Sequence, residues 1–174
     1  MSANVARTAA PFSAPYIIRS GKKTGKSLEN MMFTDYPWVD YMFKRLESTQ
    51  AANPNLFHRH LKWLMVQGEN RIPTMSCPIC NNSPVAYMWM AYESYGMEAH
   101  WQMTCCRQLA CIENLRERTE GRGEIVVPRF SLFLGKREDS RSTILRVFKD
   151  IFELPSRITQ GVAFDFFSRM GYCQ

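Results

Sequence analysis

Two cysteine-bearing stretches restrict the folds open to this chain more than anything else in it. Cys77-Pro78-Ile79-Cys80 is a Cys-x2-Cys turn, and Cys105-Cys106-Arg107-Gln108-Leu109-Ala110-Cys111 begins after 24 intervening residues. A Cys-x2-Cys knuckle offers two thiolates to one ion while backbone amides soften their charge. The intervening length suffices for two strands that return the second pair to the first. The spacing therefore predicts a structural zinc held by Cys77, Cys80, Cys111 and one of Cys105 or Cys106. The second half is Cys-x5-Cys from Cys105 or Cys-x4-Cys from Cys106, which leaves that choice open. His100 could replace a cysteine, but it sits inside the expected return strand, away from a knuckle. The alternatives are a set of buried free thiols, which behave as small hydrophobes, and an iron–sulfur cluster. A four-thiolate zinc is closed to water and substrate, so it scaffolds rather than catalyses.

Composition supports an ordinary folded chain, with 174 residues, 45 % hydrophobic and 22 % charged, enough for one medium domain or two small ones. No apolar run approaches the roughly 18 residues of a membrane span. Residues 1–15 are small and polar, broken by Pro11 and Pro15, without the apolar core of a secretory signal. They read as a loose tail, and the protein is expected to be cytoplasmic or otherwise intracellular, not secreted, and without a membrane partner. In that setting, five cysteines within 35 residues point to metal rather than disulfides.

Along the chain the pattern predicts an α+β fold with a small zinc-ribbon or treble-clef-like hairpin at its centre. Residues 16–70 form a basic turn and a helical module. "DYPWVDYMFKRLEST" places Val39, Met42, Phe43 and Leu46 on one helical face. "NPNLFHRHLKWLMVQG" predicts a second helix, capped by Asn53, stopped at Gly68 and buried along Phe57, Leu61, Leu64 and Met65. His58 and His60 lie about 200° apart on such a helix and cannot share an ion, so His60 is expected to be a buried or half-buried structural histidine. Residues 71–123 form the zinc hairpin, with a turn at Ser94-Tyr95-Gly96, followed by a helix ending near Gly121. Residues 124–174 continue as a strand through Pro128, a helix from Ser142 to Leu154 and a last helix from about Ser156 to Met170.

The stretch "SGKKTGKS" falls one residue short of a phosphate-gripping P-loop, because Ser20 stands where the first glycine belongs. The surrounding pattern is helix–helix, with no βαβ frame and no later Mg-binding aspartate, so an NTPase is not expected. Gly21-Lys22, Gly25-Lys26, Glu29, and Tyr36 with Trp38 follow a hydrophobic strand, with Pro37 between the two aromatics. Over residues 16–46 this pattern resembles the C-terminal module of exonuclease X and its stand-alone relatives. The resemblance implies nucleic-acid-associated work without chemistry of its own. The nuclease half would need an Asp-x-Glu motif, and the chain contains none.

Net charge is +6, and most of the 22 basic residues are arginine, whose fork suits phosphate oxygens. The candidate nucleic-acid contacts are Lys22, Lys23 and Lys26 on the glycine turn, Tyr95 at the hairpin tip, and Arg107, Arg129, Lys136 and Arg137 in the second half. For each, the competing reading is a solvated surface group. No His-x-Glu with a downstream Pro-Cys-x-x-Cys occurs, which removes the zinc-deaminase pattern, and the lone thiol Cys173 has no obvious partner. The expected function is a non-catalytic binder of DNA or RNA, or such a subunit of a larger complex with other protein subunits. A target-reading subunit of a CRISPR-type effector complex is one form of it. A zinc-stabilised protein–protein assembly module that binds no nucleic acid is the competing class.

Overall fold

The computed structural model describes residues 13–49, 55–91, 103–136 and 138–168. Their order is α1 (Leu28–Thr34), α2 (Tyr36–Ser48), α3 (Leu56–Asn70), β1 (Tyr87–Ala91), β2 (Thr104–Cys105), α4 (Leu109–Arg118), β3 (Gly123–Val126), a 3-10 turn (Phe130–Phe133), α5 (Glu138–Ile151) and α6 (Gln160–Ser168). Helices with one small antiparallel sheet make the fold α+β, and none of the described helices is long and apolar enough to cross a membrane. The chain divides into two units, one of residues up to Asn70 together with those from Ile158 onward, the other Arg71–Arg157.

In the first unit the basic stretch forms a tight turn. The Ile18 and Gly25 amides donate to the carbonyls of Lys26 and Ile18, both at 2.9 Å, and Ile17 bridges Ser27. Gly21 and Gly25 adopt φ of +81° and +83°, a region glycine enters without a Cβ penalty. The buried Ser27 hydroxyl then caps α1 by accepting from the Asn30 amide at 3.2 Å. Leu28, Met31 and Met32 on α1 and Leu61 and Leu64 on α3 have no exposed surface. α6 returns from the far end of the sequence to pack on α1, where Phe33 meets Phe166 and Phe167 at centroid distances of 5.3 and 5.7 Å. The expected apolar stripe of α2 is deepest at Val39, whereas Met42, Phe43 and Leu46 are half-buried. Tyr36 is buried and donates to Glu69 at 3.4 Å; burial, then the carboxylates of Glu69 and Asp40, push its phenol far above the ordinary range.

α3 differs from its expected bounds at both ends. The Asn55 side chain, not Asn53, accepts the His58 amide at 2.9 Å; Asn53 and Pro54 lie outside the described residues. The helix runs through Gly68 to Asn70, and Gly68 is buried within it rather than ending it.

In the second unit the sheet order is β2-β1-β3, all antiparallel. β1 pairs Tyr87 with Cys105 on one side and Met88 through Ala91 with Val126 through Gly123 on the other. Gly123 is required there, since a Cβ would stand 2.2 Å from the Met90 carbonyl oxygen and 2.6 Å from Trp89 Nε1. The strand expected through Pro128 ends at Val126, because proline offers no amide to a ladder. Phe130–Phe133 turns into 3-10 form instead, which sets Phe130 and Phe133 edge-on against Phe148 at 5.4 and 5.3 Å. α5 starts at Glu138, ahead of the expected Ser142, and buries Ile144, Val147, Phe148 and Ile151. The segment from 124 onward is thus not one piece: residues through Arg157 stay with the hairpin, and α6, starting at Gln160 rather than Ser156, joins the helices.

Candidate metal centre

The knuckle at Cys77–Cys80 is built by its own backbone. The Asn81 amide donates to the Cys77 carbonyl at 2.8 Å and the Cys77 amide to the Ser83 carbonyl at 2.7 Å, with Asn81 at φ 56° closing the turn. Asparagine is among the few side chains that tolerate that left-handed conformation. Ser76 bridges Pro84, the Val85 amide reaches the Met75 carbonyl at 2.9 Å, and the chain enters β1. The Thr74 and Met75 amides both donate to the Ile151 carbonyl at 3.0 Å, which ties the approach to the knuckle onto the end of α5. On the other side, Cys106 follows the last residue of β2, and Cys111 lies in the first turn of α4, its amide donating to the Gln108 carbonyl at 3.0 Å.

These elements bring the sulfurs of Cys77, Cys80, Cys106 and Cys111 within 4.8 Å of one another, a set that can hold one metal ion. Cys80 Sγ and Cys106 Sγ are 3.7 Å apart, and the Cys106 amide donates to Cys77 Sγ at 3.4 Å. The five described cysteines are all free thiols. The choice between Cys105 and Cys106, left open by spacing, falls to Cys106. Successive residues of an extended chain face opposite ways, and the sulfur of Cys105, opposite Tyr87 in the ladder, is not in the set. His100 and Cys173 lie outside the described residues.

The four sulfurs differ in how readily they ionise. A backbone hydrogen bond from Asn82 draws the Cys80 thiol down to about 7. Burial pushes Cys106 and Cys111 up, and for Cys111 the neighbouring sulfurs push further. Burial, with repulsion from Cys77 and Cys106, raises the non-ligand Cys105 to about 12. Four thiolates crowded into a buried corner repel one another, and a metal ion supplies the positive charge that lets them ionise together.

The expected nucleic-acid residues do not form one group. Lys22 and Lys26 are exposed on the glycine turn, but Lys23 folds back and pairs with Asp35 at the junction of α1 and α2. Arg107 and Arg129 are exposed and Lys136 half-buried in the second unit; Tyr95 and Arg137 lie outside the described residues. Neither Arg116 nor Arg118 on α4 has a carboxylate partner among the described residues, while Arg122 pairs with Glu120. Trp89 is core, only 7 % exposed, as the alternating pattern implies for a strand aromatic.

One polar pair escaped sequence reasoning. His60 is buried as expected, and its Nε2 lies 2.6 Å from the Glu29 carboxylate, both side chains having no exposed surface. The Tyr16 amide also donates to Glu29, at 3.1 and 3.2 Å to its two oxygens, and the Tyr16 ring stacks on His60 at 5.6 Å. The sequence carries no signal for it, because a glutamate in the first turn of a helix is ordinarily a solvated partner of the helix dipole. Comparison of the chain with protein-family models, curated proteins and solved structures returns no match.

Proposed function

We propose that this protein is a non-catalytic, zinc-stabilised nucleic-acid-binding protein, or such a subunit of a larger complex. The observation that carries the metal half is the four-sulfur set. Tetrahedral ligation with Zn–S bonds of about 2.3 Å needs sulfurs about 3.8 Å apart, and Cys80 and Cys106 stand at 3.7 Å. A multi-iron cluster spreads its thiolates around several metal atoms, whereas these four fall within 4.8 Å. Knuckle, hairpin and the first turn of a helix supply the ligands in treble-clef-like order. Bound zinc would hold α4 against the hairpin and add folding energy.

The nucleic-acid half rests on Lys22 and Lys26, exposed on a turn whose two glycines allow a phosphate to approach the backbone closely. The exposed Arg107, next to a ligand, and Arg129 have no carboxylate partner among the described residues and support the same reading. The resemblance of residues 16–46 to the exonuclease X C-terminal module is consistent with it. Gel shifts with single- and double-stranded DNA and RNA at two salt levels provide the test. Affinity that falls as salt rises is the expected result, because phosphate contacts release counterions. Lys22→Glu with Lys26→Glu should weaken binding across all sequences; no binding at low salt refutes the reading.

An assembly role is the second reading, favoured by Leu109, which opens α4 beside the site and is 67 % exposed. Leu109→Ser would then abolish a protein complex and leave nucleic-acid affinity alone.

A further inference from the structure

We propose that the thiol centre is also an oxidant-sensitive release site, with Cys80 as the sulfur that reacts and Cys106 as the sulfur that resolves. The inference rests on the metal reading above and adds a mode of regulation to the same four residues. Exposure singles out Cys80. Cys77, Cys106 and Cys111 are 0 %, 1 % and 2 % exposed, and Cys80 is the one part-exposed member of the set. Asn81 and Asn82, which follow it, are exposed, so the outer edge of the knuckle meets solvent at this sulfur. Proximity singles out Cys106, whose Sγ is 3.7 Å from that of Cys80. Cys106 lies in the link between β2 and α4, outside both elements, and can move without breaking either. Cys105, held in β2, is not part of the sulfur set.

A hydroperoxide is a class of oxidant small enough to reach a part-exposed thiol. The Cys80 thiolate attacks the outer peroxide oxygen, an S–O bond forms, the O–O bond breaks, and the leaving hydroxide takes a proton to become water. The Cys106 thiolate then attacks the Cys80 sulfur, the S–S bond forms, the S–O bond breaks, and a second hydroxide leaves as water. The two thiolates together lose two electrons, and one hydrogen peroxide is reduced to two waters. Cys77 and Cys111 remain as the only ligands, too few to retain a four-coordinate ion.

The whole protein, purified with its metal, provides the test. Its metal content is measured first; hydrogen peroxide is then added in the presence of a chromogenic zinc chelator, and the products are alkylated without reduction and mapped by mass spectrometry. About one equivalent of zinc should be released, as a single four-thiolate site requires. Release should run parallel with one new linked pair, Cys80–Cys106, while Cys105 stays alkylatable. A dithiol reductant with added zinc should restore the starting state, and Cys105→Ser should release zinc at an unchanged rate. A disulfide that omits Cys80, release with every thiol intact, or retention of both metal and thiols overturns the proposal and leaves the metal reading standing. Protein that carries no metal before treatment overturns both.

Discussion

In the helical unit, Phe33, Phe166 and Phe167 meet within one apolar cluster, and Leu28, Met31 and Leu64 are shut off from solvent around it. In the hairpin, a single five-residue strand is buried on both faces, Trp89 and Ala91 on one side and Met88 and Met90 on the other, and the corner beyond it is four thiols. Both interiors are closed, the first by apolar packing around the buried Glu29–His60 pair, the second by apolar packing beside four thiols that can hold a metal ion. β1 lies between β2 and β3, and the same unit buries Phe130, Phe133 and Phe148. Metal held by the four thiols would add folding energy to the knuckle, β2 and α4 around it. The two units should therefore fail under different treatments.

Metal removal should separate them most sharply. A strong chelator, or Cys106→Ser, should collapse protection of the amides of the knuckle, β1, β2 and α4 in hydrogen exchange while α1, α2 and α3 stay protected. Structural zinc sites bind with an apparent free energy of about 10–16 kcal/mol near neutral pH. Equal loss in both units would break the contrast.

Phe167→Ala should do the converse. Phe167 is 2 % exposed, and truncating a buried phenylalanine costs about 3–5 kcal/mol. Denaturant unfolding should show the helical unit weakened and the second unit unchanged. Glu29→Ala should have an effect close to that, since removing one member of a buried pair costs about 3–5 kcal/mol. Here the loss should be partly recovered by replacing His60 with an apolar residue as well, because the second change removes the stranded imidazole.

Ser27→Ala tests a smaller contribution, about 1 kcal/mol for an N-cap, read as earlier exchange in α1. Smallest of all is a pH effect at the surface. The His58 hydrogen bond, at 2.7 Å, holds the Glu47 carboxyl below its ordinary 4.5. A carboxyl depressed in the folded state stabilises above its unfolded value, and that contribution fades as pH falls through the folded one. An NMR titration of Glu47 should show a midpoint below 4.5 that returns to it in His58→Ala; no change would remove the pair from the account.

How much of this could be read from the residues depends on how local the cause is. The thiol site was legible because metal ligation imposes spacing, and spacing is a property of the string. Which of Cys105 and Cys106 joins it was not, because that depends on how β2 aligns with β1. The heptad-like faces of α2, α3 and α5 were legible as periodicity. The 3-10 turn at Phe130–Phe133 was not, because "FSLF" suits a strand equally well until Phe148 stands beside it. Lys23 looked like its neighbours Lys22 and Lys26, and only the fold puts Asp35 within its reach. The Glu29–His60 pair spans 31 residues, and no local pattern links them.

α6 has a consequence for how the protein is made. It belongs with helices encoded more than a hundred residues earlier in the sequence, and all of the thiol unit lies between. On the ribosome, Arg71–Arg157 can emerge and fold while Phe33 still waits for Phe166 and Phe167. The first helices synthesised are then among the last to be sealed, and a nascent chain stalled before Gln160 would present their apolar faces to whatever chaperone is at hand.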